Sequence, residues 1–166
     1  MSLLTFTIAA VVLAITPGPG IAYVVARTVA GGRSEGLASC LGTGVGGMLH
    51  VLAAALGLSL IVAQLALAFY LVKYVGAAYL IYLGIRLLLR KDEALAIDSV
   101  GVTSQGARKA FLEGIAVEAL NVKTALFFLA FLPQFVAPEQ PLVPQLVLLG
   151  TICVVLNTLV DVVALD

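Results

Sequence analysis

The first apolar run of this chain contains two prolines and two glycines, and this strongly constrains how the chain can cross a membrane. Residues 3 to 25 carry no charge, and at about 1.5 Å per residue the run suits a bilayer core of roughly 30 Å. At its centre lies the pentapeptide Thr16-Pro17-Gly18-Pro19-Gly20. Because proline has no amide hydrogen, each proline frees the carbonyl four residues before it, at Leu13 and Ile15. The sequence therefore predicts a helix that is broken near mid-membrane.

Freed backbone groups at that depth make the pentapeptide a candidate substrate site. Irregular backbone persists inside a membrane only where it packs on protein or lines a watery cavity. A half-helix beginning near Pro19 would direct its free amides, and the positive end of its dipole, at an anion such as a carboxylate. The alternative is a purely structural kink. Because two prolines alternate with glycines, we favour the substrate site.

Composition indicates an integral membrane protein. Of the 166 residues, 62% are hydrophobic and only 11% are charged, whereas a soluble domain carries about a quarter charged residues. The sequence shows no Ser/His/Asp set, phosphate loop or cluster with metal-ligand spacing, and Cys40 and Cys153 lie alone in apolar runs as packing residues. We therefore expect a protein that is not an enzyme and has no metal site, cofactor or nucleic acid partner.

The spacing of the apolar runs predicts an all-α membrane protein with a single transmembrane domain over residues 1–166. Five transmembrane helices are expected, at about residues 3–25, 38–62, 70–89, 110–133 and 142–164. A polar turn over residues 31–36 would follow the first helix. The longest polar stretch, about residues 90–109, is expected to form a cytoplasmic loop.

Basic residues orient the predicted helices, because cytoplasmic loops carry an excess of lysine and arginine. Seven of the nine basic residues flank the loops after the first and third helices, namely Arg27, Arg33, Arg86, Arg90, Lys91, Arg108 and Lys109. Lys73 lies close enough to a helix end for its ammonium group to reach the interface. We therefore predict that both loops are cytoplasmic and that the N-terminus lies outside.

The second predicted helix is rich in small residues, which let a neighbouring helix approach closely. Residues 42–47, with the sequence Gly-Thr-Gly-Val-Gly-Gly, match the G-x-G-x-x-G pattern of dinucleotide-binding loops. That fingerprint needs a preceding strand and an acidic residue about twenty positions later, yet no Asp or Glu lies between Glu35 and Asp92. We interpret the glycines as a packing face, which would also suit a homodimer.

Polar residues also lie in the middle of the fourth predicted helix. A charge at the bilayer centre costs about 2.5 kcal/mol or more, so Lys123, with Asn121 beside it, should face a cavity or a partner. Asp161 is the preferred partner, because Glu118 lies five positions before Lys123, a poor helical spacing. The alternative is a lysine neutralised for assembly alone. We expect the lone His50 to be hydrogen-bonded within the bundle rather than to relay protons.

Three segments of the chain form a recognisable set in this order and spacing. They are Thr16-Pro17-Gly18-Pro19-Gly20, residues 72–84 (VKYVGAAYLIYLG) and residues 121–135 (NVKTALFFLAFLPQF). Together they resemble the LysE/RhtB family of bacterial amino-acid exporters, and the likeness covers essentially the whole chain. The resemblance implies a six-helix inner-membrane bundle, built as a 3+3 inverted repeat, that exports amino acids at the expense of the proton gradient.

The chain departs from the pattern of that family at three points. Gly20 stands where the family usually has Asn or Asp, so a side-chain ligand would be missing. Val122 stands where the family has proline, which restores an amide and leaves the fourth helix free to run on unbroken. The sequence ends after five predicted helices, so we expect the second repeat to lack its last helix.

These observations predict an exporter of amino acids or related small zwitterions in the bacterial inner (plasma) membrane, driven by the proton gradient. The expected substrate-binding residues are Thr16, Pro17, Gly18, Pro19, Gly20, Asn121 and Lys123. Asp161 or Glu118 would accept the coupling proton. The alternative is a truncated, inactive relic or a structural membrane subunit that packs through the glycine-rich second helix. A metal-ion carrier is less favoured, because no ligand cluster lies in the apolar runs.

Overall fold

The computed structural model describes residues 3–64, eight residues between 71 and 85, and residues 103–137 and 139–165. Within these residues the bounded α-helices are α1 (Leu3–Ile15), α2 (Pro19–Gln64), α3 (Ala107–Ala119), α4 (Val122–Leu126) and α5 (Leu142–Val163). The eight described residues between 71 and 85 are also helical, and no strand occurs among the described residues. Most of the predicted loop at 90–109 and the turn after residue 64 lie outside them. An all-α fold is therefore confirmed for the described part.

The predicted break in the first apolar run is present. α1 ends at Ile15 and α2 begins at Pro19. Both the amide and the Oγ1 of Thr16 donate to the carbonyl of Val12, at 3.1 and 2.6 Å, and close the last turn of α1. The carbonyl of Gly18 accepts from the amide of Ala22 at 3.0 Å, which opens the first turn of α2. The two prolines thus divide the run into two half-helices.

A kink at Gly32 divides α2. A straight helix of these 46 residues would measure about 70 Å, more than twice the thickness of a bilayer core. Gly32 has φ 71° and ψ −172°, a backbone conformation open to glycine but rarely adopted by residues with a side chain. The residues on either side are helical, so the polar turn predicted over residues 31–36 is confined to this one glycine.

The fourth apolar run is broken as well, so the expectation that Val122 would let it run on unbroken is wrong. α3 and the segment Val122–Phe135 meet at an angle of 44°. Asn121 between them has an extended backbone, and its side chain accepts a hydrogen bond from the amide of Lys123 at 3.1 Å. An asparagine N-cap therefore starts a new helix without a proline. Beyond α4 the chain continues as a π-helical turn over Phe127–Phe131 and a 3-10 turn over Leu132–Phe135.

Glycines of the second apolar run bring three helices together, as the sequence predicts. A Cβ on Gly42 would meet the carbonyl of Phe111 in α3, and one on Gly114 of α3 would lie 2.8 Å from a carbonyl of α2. A Cβ on Gly47 would lie 3.0 Å from Val154 of α5. These close approaches permit backbone contact between helices. Gly42 and Gly47 therefore face other helices of the same chain.

The described helices are long and apolar enough to span a membrane two or three times. The candidate spans are the part of α2 from Pro19 to Gly57, α5, and the bent pair of α3 with Val122–Phe135. Phe6 and Phe128 are fully buried where α1, α5 and the π-helical turn meet. Cys40 and Cys153 are each 1% exposed in packed clusters, which confirms that they are packing residues.

Candidate functional site

The two helix breaks meet through the side chain of Lys123. Its Nζ donates to the carbonyl of Thr16 at 2.8 Å and to the carbonyl of Leu13 at 3.2 Å. Leu13 is one of the two residues whose carbonyls the prolines were expected to free. The last carbonyls of a helix carry partial negative charge, which attracts a cation. Lys123 is therefore hydrogen-bonded to the backbone at the end of α1, and within the described residues it forms no salt bridge with Asp161, the partner that the sequence favours.

Glu118, at the end of α3, lies next to the other side of the first break. Its carboxylate accepts hydrogen bonds from Asn121 Nδ2 at 2.9 Å and from Thr124 Oγ1 at 2.7 Å. A Cβ on Gly20 would lie only 2.9 Å from Glu118 Oε2. Because Gly20 has no side chain, the first break has no side-chain ligand at this position. The space beside Gly20 is open to the carboxylate of Glu118.

Asp161 supplies a second buried carboxylate from α5. It is 5% exposed, and its Oδ2 accepts a hydrogen bond from Thr43 Oγ1 at 2.9 Å. Thr43 itself lies in the glycine-rich part of α2 and is 4% exposed. The two carboxylates, Glu118 and Asp161, are thus each held by neutral side chains rather than by a neighbouring cation.

A cavity of about 440 Å³, counted with the open space at its mouth, joins these groups. We call it the central cavity, and it is lined by Ala14, Gly20, Ile21, Thr43, Gly44, Gly47, Glu118, Asn121, Lys123, Thr124, Val154, Asn157, Thr158 and Asp161. Among the described residues, no three His, Cys, Asp or Glu side chains form a group that could hold a metal ion.

The structure brings most of the predicted site residues to the central cavity. Gly20, Asn121, Lys123 and both candidate proton acceptors line it, Thr16 accepts a hydrogen bond from the ammonium group of Lys123, and a Cβ on Gly18 would lie 3.0 Å from that group. Pro17 and Pro19 are exposed and do not line the cavity. The prolines therefore shape the site through the backbone that they interrupt.

Several polar lining residues, among them Thr43 and Thr124, were missed by the sequence analysis. Both threonines sit inside apolar runs, where a hydroxyl group gives only a weak signal. Asn157 is indicated by the sequence, because it lies four residues before Asp161 on the same helix face, and it also lines the cavity. The prediction for His50 is confirmed, because its Nε2 donates to the carbonyl of Glu118 at 2.7 Å, at the end of α3.

A second polar group, which we call the arginine cluster, consists of Tyr23, Arg27, Glu35 and Glu113. The guanidinium group of Arg27 lies 3.5 Å from Glu35 and 3.4 Å from Glu113, and the hydroxyl of Tyr23 donates to Glu113 at 2.9 Å. One oxygen of Glu35 also accepts hydrogen bonds from Ser104 Oγ and from two backbone amides over residues 104–106, at 2.6 to 2.9 Å. This cluster ties α2 to the start of α3.

Comparisons with known proteins match nearly the whole chain. A family described as "LysE type translocator" matches residues 11–164. An uncharacterized membrane protein of Vibrio cholerae is 33% identical over 95% of this chain and 76% of its own length. A homoserine/homoserine lactone efflux protein of Salmonella typhimurium is 30% identical over 93% of this chain and 74% of its own length. The membrane protein YrhP of Bacillus subtilis is 30% identical over 95% and 79%. No solved structure matches the chain significantly.

Proposed function

The chain belongs to the LysE type translocator family, and from this premise we propose that it exports amino acids or related small zwitterions across the bacterial inner membrane. The membrane location and a small-molecule substrate follow from the family and from relatives named as membrane and efflux proteins. The alternative of an inactive relic or structural subunit is not favoured, because the family is one of translocators and the Salmonella relatives are named for efflux.

The observation that carries this proposal is the mixture of charges in the central cavity. One ammonium group, on Lys123, and two carboxyl groups, on Glu118 and Asp161, line the same space. Within the described residues, none of the three forms an ion pair with another, since their contacts are to carbonyls, hydroxyls and an amide. A zwitterion offers both charges in one small molecule and so complements such a cavity.

Each predicted residue has a place in the proposed site. The carboxylate of the substrate would lie near the free amides at the start of α2, with Asn121 and Lys123 on the opposite side. Thr16 and Gly18 form the wall of the break, and Pro17 and Pro19 keep it from closing into a helix. Discontinuous helices of this kind form substrate sites in other transporters.

The driving force we propose is the proton gradient. Asp161 and Glu118 are buried carboxyl groups at the cavity, and a carboxyl group that exchanges protons between two states of a transporter links transport to that gradient. The half-helices on either side of each break would tilt to expose the cavity to one side of the membrane at a time. The N-terminus would lie outside, in line with the distribution of basic residues.

The name of the Salmonella relative helps to define the substrate class. Homoserine and homoserine lactone both carry an α-ammonium group, but the lactone has no free carboxylate. A single site that accepted both would need to recognise the ammonium group. We therefore include amine-bearing lactones, alongside amino acids, among the substrates proposed for this chain.

Counterflow in proteoliposomes tests this proposal. Vesicles containing the purified protein and unlabelled homoserine are expected to accumulate labelled homoserine transiently, and an imposed pH gradient should increase that accumulation. Protein-free vesicles are the control. Absence of counterflow for the common amino acids, for homoserine and for homoserine lactone would overturn the proposed function, whereas counterflow that ignores the pH gradient would overturn only the proton coupling.

A further inference from the structure

The ammonium group of Lys123 occupies a place that a free cation could fill. It donates hydrogen bonds to the carbonyls of Leu13 and Thr16, and within the described residues it forms no ion pair. The carbonyl of Leu13 lies in the last turn of α1, where the helix dipole is negative, and Pro17 leaves it without a helical partner. The carbonyl of Thr16 follows directly after α1. The end of α1 is therefore a cation site that is filled by a side chain from α4.

We propose that these carbonyls are the subsite for the ammonium group of the substrate, and that Lys123 is a tethered competitor that holds the subsite while the cavity is empty. The inference rests on the proposed function, which leaves the position of the substrate's ammonium group open. When the ammonium group of the substrate displaces the ammonium group of Lys123, the same carbonyls of Leu13 and Thr16 accept hydrogen bonds from the new ammonium group. The displaced Lys123 stays in the cavity and faces the carboxylate of the substrate.

The surroundings of Lys123 allow this exchange. The side chain lines the central cavity, so it can withdraw into open space. Its backbone is held separately, because its amide donates to Asn121 Oδ1 at 3.1 Å, and the cap of α4 survives when the ammonium group moves. Gly18 borders the ammonium group, and a Cβ there would lie 3.0 Å from Nζ and 3.1 Å from Cε. An alanine at position 18 would therefore press the ammonium group away from the carbonyls.

Two variants test the competition in different ways. Lys123→Met removes the resident cation, and Gly18→Ala keeps the cation but crowds it. Lys109→Met, at an exposed lysine near the start of α3, and Gly57→Ala, where a Cβ would meet nothing within 4 Å, are the matched controls. The probes are propylammonium and propionate, each carrying one charge of a zwitterion, and their binding to the purified full chain in lipid nanodiscs is measured by calorimetry.

The affinity for propylammonium is expected to rise about tenfold in Lys123→Met, because the subsite is no longer occupied by a competing state. A smaller rise is expected in Gly18→Ala, and none in either control. The affinity for propionate should fall in Lys123→Met, since its cationic partner is lost. If Lys123 served the carboxylate alone, propylammonium affinity would not change in either variant, and that result would overturn the competition.

Three further outcomes complete the test, and the last two separate this inference from the proposed function. If Lys123→Met does not fold, Gly18→Ala becomes the deciding variant, and unchanged propylammonium affinity there overturns the inference. If homoserine counterflow fails in the wild-type protein while propylammonium affinity rises in the variants, the ammonium subsite stands and the transport proposal fails. If counterflow succeeds and the amine affinities do not rise, only the tethered competitor is excluded.

Discussion

The arginine cluster and the central cavity both bury charged side chains, but they satisfy those charges in different ways. In the arginine cluster the guanidinium group of Arg27 lies between the carboxylates of Glu35 and Glu113. In the central cavity Lys123 is held by backbone carbonyls, and each carboxylate is held by neutral donors. In the first arrangement the cation lies beside opposite charges, whereas in the second each charge is left able to accept an ionic partner.

This difference distinguishes a cluster that stabilises the packing of helices from a site that can bind a ligand. A buried ion pair with additional hydrogen bonds holds its helices together, and removing one partner leaves the other buried without compensation. Charges that are hydrogen-bonded only to neutral groups are stable enough to persist, yet they can still gain from a ligand of opposite charge. Variants of the two regions should therefore affect different quantities: thermal stability at the arginine cluster, and transport at the cavity.

The largest effect is expected from Arg27→Met. The substitution leaves the carboxylates of Glu35 and Glu113 without their shared cation, so the apparent melting temperature of the purified protein should fall by roughly 10 °C. Differential scanning fluorimetry in detergent measures this fall. Arg108→Met, at an exposed position on α3, is the control and should shift little. An equal shift in both variants would contradict a stabilising role for the arginine cluster.

Lys123→Met should have the opposite pattern of effects: a large loss of transport and a small change in melting temperature. Homoserine counterflow is expected to fall at least about tenfold, because a hydrogen-bonded charge contributes energy equivalent to a factor of ten or more. The melting temperature should change less than in Arg27→Met, since the ammonium group borders a cavity rather than a closed cluster. Lys109→Met should transport like the wild type. If Lys123→Met lost as much stability as Arg27→Met and transported normally, Lys123 would stabilise the fold rather than bind the substrate.

Asp161→Asn should retain the exchange of homoserine but lose the coupling of transport to the proton gradient. Asparagine keeps an oxygen acceptor for Thr43 Oγ1, so the fold and counterflow should be largely retained. A side chain that cannot take up a proton should nevertheless abolish the extra accumulation driven by a pH gradient. Glu139→Gln, at an exposed position outside the cavity, is the matched control. Full gradient-driven accumulation in Asp161→Asn would shift the proton-coupling assignment to Glu118.

The smallest effect is expected from Gly20→Ala. The new methyl group would lie 2.9 Å from Glu118 Oε2, so that carboxylate must move slightly within the cavity. Counterflow should decrease a few-fold with little change in melting temperature. Gly57→Ala adds a methyl group in open space and should leave both quantities unchanged. If the two glycine variants behave alike, the proximity of Glu118 to the first break has no consequence for transport.

Much of the first break could be predicted from the sequence, and little of the second. Pro17 and Pro19 dictate the first break through local chemistry, because neither can donate the hydrogen bond that continues a helix. The second break has no proline, since Val122 restores the amide. It depends on the Asn121 cap and on His50, which donates to the carbonyl of Glu118 from α2. The asparagine gave a weak local signal, but the contribution of His50 requires the packed bundle.

The partners of the buried charges could likewise be predicted only in part from the sequence. Sequence spacing paired Lys123 with Asp161, because only charged side chains were considered as partners. In the structure Lys123 contacts the carbonyl of Leu13, which the sequence had already marked as free, and that of Thr16, which it had not. Likewise, Arg27 was recognised only as a basic residue near a helix end, and its contact with Glu113, 86 residues later in the chain, is set by the glycine-mediated packing of α2 on α3.

The sequence by itself determined the membrane character of this chain, the position of its first break, the glycine face of α2 and the family resemblance. These properties follow from composition and from the covalent limits of proline and glycine, which act within a few residues. Only the tertiary structure decided that the two breaks meet, that Lys123 closes the end of α1, and that Glu118 and Asp161 line one cavity. Those facts depend on distances between residues as far as 118 positions apart, which packing alone determines.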